Sequence, residues 1–185
     1  NVKTFASVLM PGVQHMRHTH LDEHKFVSGQ PETGADRADD LERIAMNFGP
    51  ENIAACIVEP IAGSTGTLVP PKGYLQKLRE TCDKHGILLI FDEVITGWGR
   101  TGSSFASIEY GVTPDIMTMA KATTNGVVPM GVVACKDEIY DSVMDASPMG
   151  SVELFHGYTY SGIPVAVAAA LAVQDIFEKE DIFNR

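Results

Sequence analysis

Two short apolar runs constrain the fold of this chain most strongly, because a polar and reactive residue follows each of them. Residues 87–91 (ILLIF) precede Asp92, and residues 115–120 (DIMTMA) precede Lys121. If both runs are parallel strands of one sheet, a carboxylate and an amine emerge at the same carboxyl edge, where open α/β sheets bind ligands. The sequence therefore predicts a ligand site at that edge.

The segments around these runs predict an α/β fold. Residues 53–58 (IAACIV) form a third continuous apolar run, which is typical of a strand buried on both faces. Other predicted elements are a strand at 130–135, helices at 37–48, at 73–85 and from Ser161 or Pro164 to about residue 180, and a long loop at 93–114 with one helical turn. Since strands alternate with helices, we expect a mostly parallel sheet with helices on both faces.

Composition excludes several classes of partner. The net charge of −10 argues against binding to nucleic acid or to an anionic membrane, because both need a basic surface. The longest apolar stretch, residues 165–173, is too short to span a bilayer, and no signal peptide is visible. Three cysteines without metal-type spacing indicate reduced thiols in a cytoplasmic protein. Because the chain begins without methionine, we expect it to be an internal piece of a longer protein.

Lys121 is the candidate for covalent chemistry. It lies between two alanines after an apolar strand, whereas the other seven lysines have polar surroundings or lie near the ends of elements. We therefore expect the Lys121 amine to be shielded from water and partly neutral, as a nucleophilic amine must be. The alternative is a lysine whose apolar stem packs on the protein while its amine reaches solvent.

Asp92 is the candidate for binding a cationic group of a ligand. No lysine or arginine occurs between Lys84 and Arg100, so the local sequence supplies no counter-charge for this carboxylate. A protonated heterocyclic nitrogen of a ligand would fill that role. An opposite charge within about 4–6 Å shifts a pKa by roughly 1–3 units, enough to keep a pyridine nitrogen protonated at neutral pH. The alternative is an aspartate that only caps or bridges a strand end.

Two polar segments lead to weaker hypotheses. His15, His18, His20 and His24 match neither a helical metal motif nor a zinc finger, so a polar surface loop is the preferred interpretation. Residues 156–162 (HGYTYSG) place hydroxyls and glycines just before a predicted helix. That position favours a phosphate, because free N–H groups and the helix dipole meet there, but it equally fits ordinary capping by Ser161.

Four runs together resemble one enzyme family. They are residues 58–60 (VEP), 91–102 (FDEVITGWGRTG), 114–121 (PDIMTMAK) and 156–162 (HGYTYSG). In order and spacing they are similar to the class III aminotransferases, which are pyridoxal-phosphate enzymes of fold type I. The likeness covers nearly the whole chain. Within the class it looks most like the ω-amino acid:pyruvate (β-alanine:pyruvate) aminotransferases.

The resemblance implies roles for five residues. Lys121 would form the internal Schiff base with pyridoxal 5'-phosphate and later shuttle a proton. Asp92 would hold the proton of the pyridinium ring, and Val94 would pack on the face of the ring. Thr159 would reach the cofactor phosphate of a neighbouring subunit, which implies a homodimer or a dimer of dimers. Glu59 would lie near the site, and no metal is expected.

The resemblance also implies a reaction and a domain assignment. An amino group would pass from an amine or ω-amino acid such as β-alanine to pyruvate. The alternatives are 2-oxoglutarate as acceptor, as in GABA or ornithine aminotransferases, and a non-catalytic folding or dimerisation fragment. Residues 1–185 would be an incomplete large domain, without the upstream phosphate cup and the C-terminal small domain, and inactive alone. In two departures from the pattern, Trp98 stands where phenylalanine is common and Ile163 replaces a frequent histidine.

Overall fold

A four-stranded sheet organises the protein. The computed structural model describes residues 2–149, 154 and 156–185. The strands are β1 (Ala55–Val58), β2 (Leu88–Asp92), β3 (Ile116–Met119) and β4 (Val132–Cys135), and they lie side by side in chain order. β1, β2 and β3 are parallel, and β4 is antiparallel to β3. This mixed, mostly parallel sheet with helices confirms the predicted fold class.

Helices connect the strands. They are α1 (Val2–Phe5), α2 (Asp39–Phe48), α3 (Tyr74–His85), α4 (Ala106–Glu109), α5 (Asp137–Asp145) and α6 (Pro164–Lys179). The predicted helices at 37–48 and 73–85 are confirmed as α2 and α3, and the one helical turn in the long loop is α4. Gly86 ends α3 in the left-handed conformation, with φ of 66°, which glycine adopts without steric cost. α5 was not predicted.

The hydrophobic core lies between the sheet and helices α2 and α3. Leu78 of α3 and Leu89 and Phe91 of β2 are fully buried at its centre. Burial of side chains of this size contributes roughly 1.5–3 kcal/mol each. Cys56 of β1 and Cys82 of α3 belong to the same core and are free thiols, as the composition indicated. This packing fixes β1 and β2, and with them the edge where the site lies.

The prediction that β1 is buried on both faces is wrong for the described chain. Cys56 is 7% exposed, but its neighbour Ile57 is 62% exposed on the opposite face. The reason is that α2 and α3 pack on the Cys56 side, while no described helix covers Ile57. A continuous apolar run therefore indicated which residues suit burial, but not which of them this part of the chain covers.

Asp115 anchors the beginning of β3 to three other elements. Its side chain accepts hydrogen bonds from Arg79 Nη1 of α3 at 2.8 Å and from the backbone N–H of Leu89 of β2 at 2.7 Å. Lys136, which follows β4, lies 2.7 Å away through Nζ. Burial tends to raise the pKa of Asp115, but the hydrogen bonds from Lys136, Leu89 and Arg79 outweigh it and hold the pKa below its usual range.

The described helices include none that is both long enough and apolar enough to cross a membrane.

Asp40, at the start of α2, should make the stability of the fold depend on acid pH. Arg17 donates to it from its backbone N–H at 2.8 Å and from Nη2 at 2.8 Å. The Arg17 hydrogen bonds lower the pKa of Asp40 to about 2. Replacing Asp40 with asparagine in the full-length protein should reduce the free energy of unfolding at pH 7 by about 1.5–3 kcal/mol.

The sign of the pH effect follows from the lowered pKa of Asp40. Its stabilising effect is fully present above the unfolded pKa of about 4, and it is lost as pH falls through the folded value near 2. Urea unfolding of both proteins between pH 7 and pH 2 should therefore show the difference shrinking below pH 4. Asp22→Asn, at a side chain that is 96% exposed, is the control. A difference that stays constant down to pH 2 would contradict this account.

Candidate active site

Asp92 lies at the carboxyl end of β2, beside Thr118 of β3. The parallel register pairs these two residues directly. Asp92 Oδ1 accepts hydrogen bonds from the Val94 backbone N–H at 3.0 Å and from Thr118 Oγ1 at 3.2 Å. The side chain is half-buried. Within the described residues no group bonds to Oδ2, so one carboxylate oxygen remains available to a donor from a ligand.

Lys121 follows the carboxyl end of β3, three residues beyond Thr118. The structure therefore places both candidate residues at the same edge of the sheet, after adjacent parallel strands. Lys121 begins a short 3-10 turn with φ of 45°, a left-handed conformation that is uncommon outside glycine. Its side chain is exposed, so the predicted shielding from water is wrong in this structure. β3 ends at Met119, so Lys121 lies beyond the sheet and the neighbouring strands do not enclose its amine.

Lys121 differs from the other lysines in having no partner. Of the seven lysines whose side chains the structure describes, the six others form ion pairs: Lys25, Lys72, Lys77, Lys84, Lys136 and Lys179. No described residue forms an ion pair or hydrogen bond with Lys121 Nζ. No described carboxylate therefore ties up the Lys121 amine, which leaves it available to bond to a ligand.

Glu93 has a structural role that the sequence did not reveal. It is fully buried, and its carboxylate accepts hydrogen bonds from the backbone N–H groups of Ala106 and Ser107, both at 2.8 Å, and from Thr96 Oγ1 at 2.8 Å. These donors satisfy a buried charge without a cation. Glu93 thus folds the loop that begins after Asp92 back onto α4.

The loops after β1 and β2 meet at the same edge of the sheet. Glu59 Oε2 accepts a hydrogen bond from the Gly63 backbone N–H at 2.9 Å, which closes the loop after β1. A Cβ atom at Gly63 would lie 2.5 Å from Ile95 Cδ1, so any larger residue there would require the Ile95 side chain to shift. Ile95 is the neighbour of half-buried Val94. Glu59 and Val94 are therefore carried by loops in contact at the edge that holds Asp92.

Thr159 lies apart from these residues, in the loop before α6. It lines an open cavity of about 410 Å³ together with Met130, Gly131 and Ser161, among others. α6 begins at Pro164 after Ile163, and no side chain caps it, so the predicted capping by Ser161 is wrong. Thr159 is exposed, and no described residue bonds to its hydroxyl. Asp92 is not among the residues that line this cavity.

The N-terminal histidines do not form a metal site in the described residues, where no group of three or more His, Cys, Asp or Glu side chains could hold an ion. His24 is buried, and its Nε2 lies 3.1 Å from Thr33 Oγ1. Its ring nitrogen Nδ1 accepts a hydrogen bond from the Leu21 backbone N–H at 3.3 Å. His24 therefore holds its own loop together.

The donor set at the edge of the sheet fits pyridoxal phosphate. The free Oδ2 of Asp92 can accept a hydrogen bond from a protonated ring nitrogen, and Lys121 offers an amine to an aldehyde. Val94, two residues after Asp92, supplies a half-buried apolar side chain at this edge. Hydroxyl and backbone N–H groups near Thr159 suit a phosphate. An aspartate, a free amine and an apolar contact at adjacent strand ends are the groups that this cofactor requires.

Comparisons with known proteins agree with this chemistry. A family model described as "Aminotransferase class-III" matches residues 1–185. The omega-aminotransferase of Caulobacter vibrioides is 57% identical over 178 residues, which cover 96% of this chain and 40% of that protein. The beta-alanine–pyruvate aminotransferase of Pseudomonas aeruginosa is 50% identical over 187 residues, which cover 100% of this chain and 41% of that protein. The chain thus spans about two-fifths of the length of these relatives.

Solved structures agree with the fold. A thermostable omega transaminase from Pseudomonas jessenii, described as a 6-fold mutant, superposes with a TM-score of 0.86 at 37% identity, covering 96% of this chain and 40% of that one. An amine transaminase from an uncultivated Pseudomonas species, solved in a PLP-bound form, has a TM-score of 0.76 at 46% identity and covers 81% of this chain and 34% of that one. The family resemblance seen in the sequence is confirmed.

Proposed function

Because this chain belongs to the class III aminotransferases, we propose that it forms part of an enzyme that moves an amino group from an ω-amino acid or amine to pyruvate, with pyridoxal 5'-phosphate as cofactor. The observation that carries the proposal is that Asp92 and Lys121 lie at the same edge of the sheet. The two residues follow adjacent parallel strands, and Lys121 has no partner among the described residues while six other lysines do.

Asp92 would hold a proton on the ring nitrogen of the cofactor. The carboxylate is kept in place by the Val94 N–H and Thr118 Oγ1, which both bond to Oδ1 and leave Oδ2 to face the ligand. An adjacent negative charge raises the pKa of a ring nitrogen by roughly 1–3 units. When bound, the protonated cofactor ring supplies an electron sink for the electron pair left at the donor carbon.

Lys121 would bind the cofactor covalently through Nζ and then act as acid and base. After substrate displaces it, the free amine would take a proton from the donor carbon and return it to the cofactor carbon on the other side of the transferred nitrogen. Such positioned proton transfer contributes typically 10²–10⁴-fold to a rate. Val94 would exclude water from one face of the ring. Glu59, on the neighbouring loop, would shape the entrance beside Gly63.

Thr159 would act on the cofactor of a second subunit. It lies in the loop before α6, beside a cavity that Asp92 does not line. If its hydroxyl binds the phosphate across a subunit boundary, the complete site requires a homodimer or a dimer of dimers. The exposed Thr159 side chain is consistent with a contact made outside this chain. A soluble, cytoplasmic location belongs to the same proposal.

The domain assignment is also a proposal. Residues 1–185 would be an incomplete large domain, with an upstream phosphate cup and a C-terminal small domain supplied by other parts of a longer chain. The coverage of 40% and 41% of two curated relatives supports it. This chain by itself is then not expected to turn over substrate. Every experiment below therefore uses the full-length protein.

Pyruvate is preferred over 2-oxoglutarate as the acceptor. Two relatives named for pyruvate are each 50% identical and cover 94% and 100% of this chain. Two relatives named as gamma-aminobutyrate transaminases are 42% and 41% identical and each cover 78%. The similarity is therefore greater, and extends over more of the chain, for these two relatives named for pyruvate than for the two named for gamma-aminobutyrate.

An acceptor panel tests the proposed function. With β-alanine as donor and cofactor added, the full-length protein should aminate pyruvate at least about tenfold faster than 2-oxoglutarate, a difference of about 1.4 kcal/mol in barrier. Faster reaction with 2-oxoglutarate would replace pyruvate by that acceptor. A protein that gains no visible absorbance after cofactor is added would instead be a non-catalytic folding or dimerisation module.

A further inference from the structure

Trp98 is hydrogen-bonded to the turn that carries Lys121. Its indole Nε1–H donates to Thr123 Oγ1 at 2.9 Å. The same hydroxyl donates its hydrogen to the carbonyl of Ala120 at 3.0 Å. Its oxygen therefore accepts from the indole while its hydrogen is bonded to the backbone. Thr123 is 2% exposed, which removes competition from water. One hydroxyl therefore connects Trp98 to the residue that directly precedes Lys121.

Two residues of this connection have a left-handed backbone conformation. Lys121 has φ of 45° and Trp98 has φ of 62°, and neither is glycine. Such conformations are uncommon outside glycine and persist only where surrounding contacts impose them. The hydrogen bond joins Trp98 to Thr123, which lies two residues beyond Lys121 in the same turn. Without it, the Thr123 hydroxyl would retain only its bond to Ala120 to hold the turn.

The indole ring is held by an aromatic cluster, defined here as Trp98, Phe105, Phe177 and Phe183. Trp98 makes an edge-to-face contact with Phe105 at 5.0 Å between ring centroids and a tilted contact with Phe177 at 6.1 Å. Phe177 in turn contacts Phe183 at 5.4 Å. The cluster aims the indole N–H, because a ring packed on two sides cannot rotate freely. Ring packing and hydrogen bonding are therefore separable functions of Trp98.

The connection spans the two halves of the proposed site. The loop that begins at Asp92 closes through Gly97, whose N–H donates to the Glu93 carbonyl at 3.0 Å, and presents Trp98 next. Trp98 then reaches across to the turn after β3. A phenylalanine, which is common here in the family that the sequence resembles, packs its ring but has no N–H to donate. The hydrogen bond therefore depends on tryptophan at position 98.

We propose that Trp98 is a positioning residue that holds the Lys121 turn, and so the direction of the Lys121 amine, through the N–H donated to Thr123. The inference rests on the proposed function, since it takes Lys121 as the group that binds the cofactor. Trp98 touches neither substrate nor cofactor in this account. It acts by limiting the conformations of the turn from which the amine works.

Trp98→Phe and Thr123→Val in the full-length holoenzyme test this proposal, because each removes one partner and keeps the side-chain bulk. Trp98→Phe should lower kcat about fivefold with KM unchanged, Thr123→Val should lower it at least as much because it also loses the bond to Ala120, and the double variant should lose no more than Thr123→Val alone. Each should also weaken the visible circular dichroism of the bound cofactor at equal absorbance. Thr123→Ser keeps the hydroxyl and should restore both values. If Trp98→Phe does not fold, the Thr123 pair makes the same comparison.

Phe183→Leu is the matched control, because Phe183 packs on Phe177 and makes no described ring contact with Trp98. It loosens the outer part of the aromatic cluster without removing the N–H donor or either ring that holds the indole, so it should lower the thermal unfolding midpoint and leave kcat and the circular dichroism unchanged. Trp98→Phe with unaltered kcat and circular dichroism would overturn the positioning role while the proposed function stands. Absence of visible absorbance in the unsubstituted protein would overturn both.

Discussion

Replacing Lys121 with alanine in the full-length protein should reduce transamination by about 10²–10⁴-fold or more, because the variant loses both the covalent attachment and the proton-transfer group. Borohydride reduction of the unsubstituted holoenzyme should fix the cofactor to one peptide, the one that contains Lys121. The variant should incorporate none. Mass spectrometry of the digested protein and initial-rate assays provide the two measurements.

Lys72→Ala is the matched control for that prediction. Lys72 forms an exposed ion pair with Glu32 and lies in the loop before α3. Exposed pairs of this kind contribute about 0–1 kcal/mol, so this variant should keep its activity, its cofactor label and nearly all its stability. A borohydride label on any lysine other than Lys121 would contradict the assignment of the site.

Replacing Asp92 with asparagine should lower kcat by about 10–10³-fold, as expected when 1–3 pKa units of support for a protonated ring nitrogen are lost. Asparagine keeps a carbonyl oxygen that can accept hydrogen bonds from the Val94 N–H and from Thr118 Oγ1. The fold should therefore survive, and the thermal unfolding midpoint should change little. The measurement is kcat at saturating cofactor beside a thermal unfolding curve.

Asp175→Asn is the control for Asp92, since Asp175 is an exposed residue of α6 whose one ion pair among the described residues is with Lys179. It should leave kcat unchanged. If Asp92→Asn kept kcat within about threefold of the unsubstituted enzyme while binding cofactor, Asp92 would be a structural strand-end residue. The capping alternative raised by the sequence would then be correct.

Local sequence patterns predicted the helices and strands whose formation is determined by residues close together in the sequence. α3 could be located from its apolar spacing and from Gly86, and β2 from its continuous apolar run before Asp92. α5 was missed although Ile139, Tyr140, Val143 and Met144 give it an apolar face at helical spacing, and none of its residues is buried in the described chain. The exposure of Ile57 on β1 was not predicted, because burial depends on which other elements pack against a strand, and the sequence of the strand does not contain that information.

The candidate site divides in the same way. Asp92 and Lys121 could be found because each directly follows a strand, and parallel strands bring their ends together. The exposure of Lys121 and its left-handed turn depend on the path of the backbone beyond Ala120. The buried Glu93 and the Trp98–Thr123 hydrogen bond join residues 13 to 25 positions apart, a separation at which spacing in the sequence carries no signal.

The charged junction at Asp115 lies at the opposite end of β3 from Lys121. Because Arg79, Leu89 and Lys136 all converge on that carboxylate, the strand is clamped at its start and its register against β2 is set there. A shift of the β3 register by one residue would move each of its side chains to the opposite face of the sheet, including those at the end near Lys121. The contacts that fix the position of β3 therefore lie at its start, and the reactive Lys121 follows its other end. Substitutions near Lys121 leave the contacts of Asp115 intact.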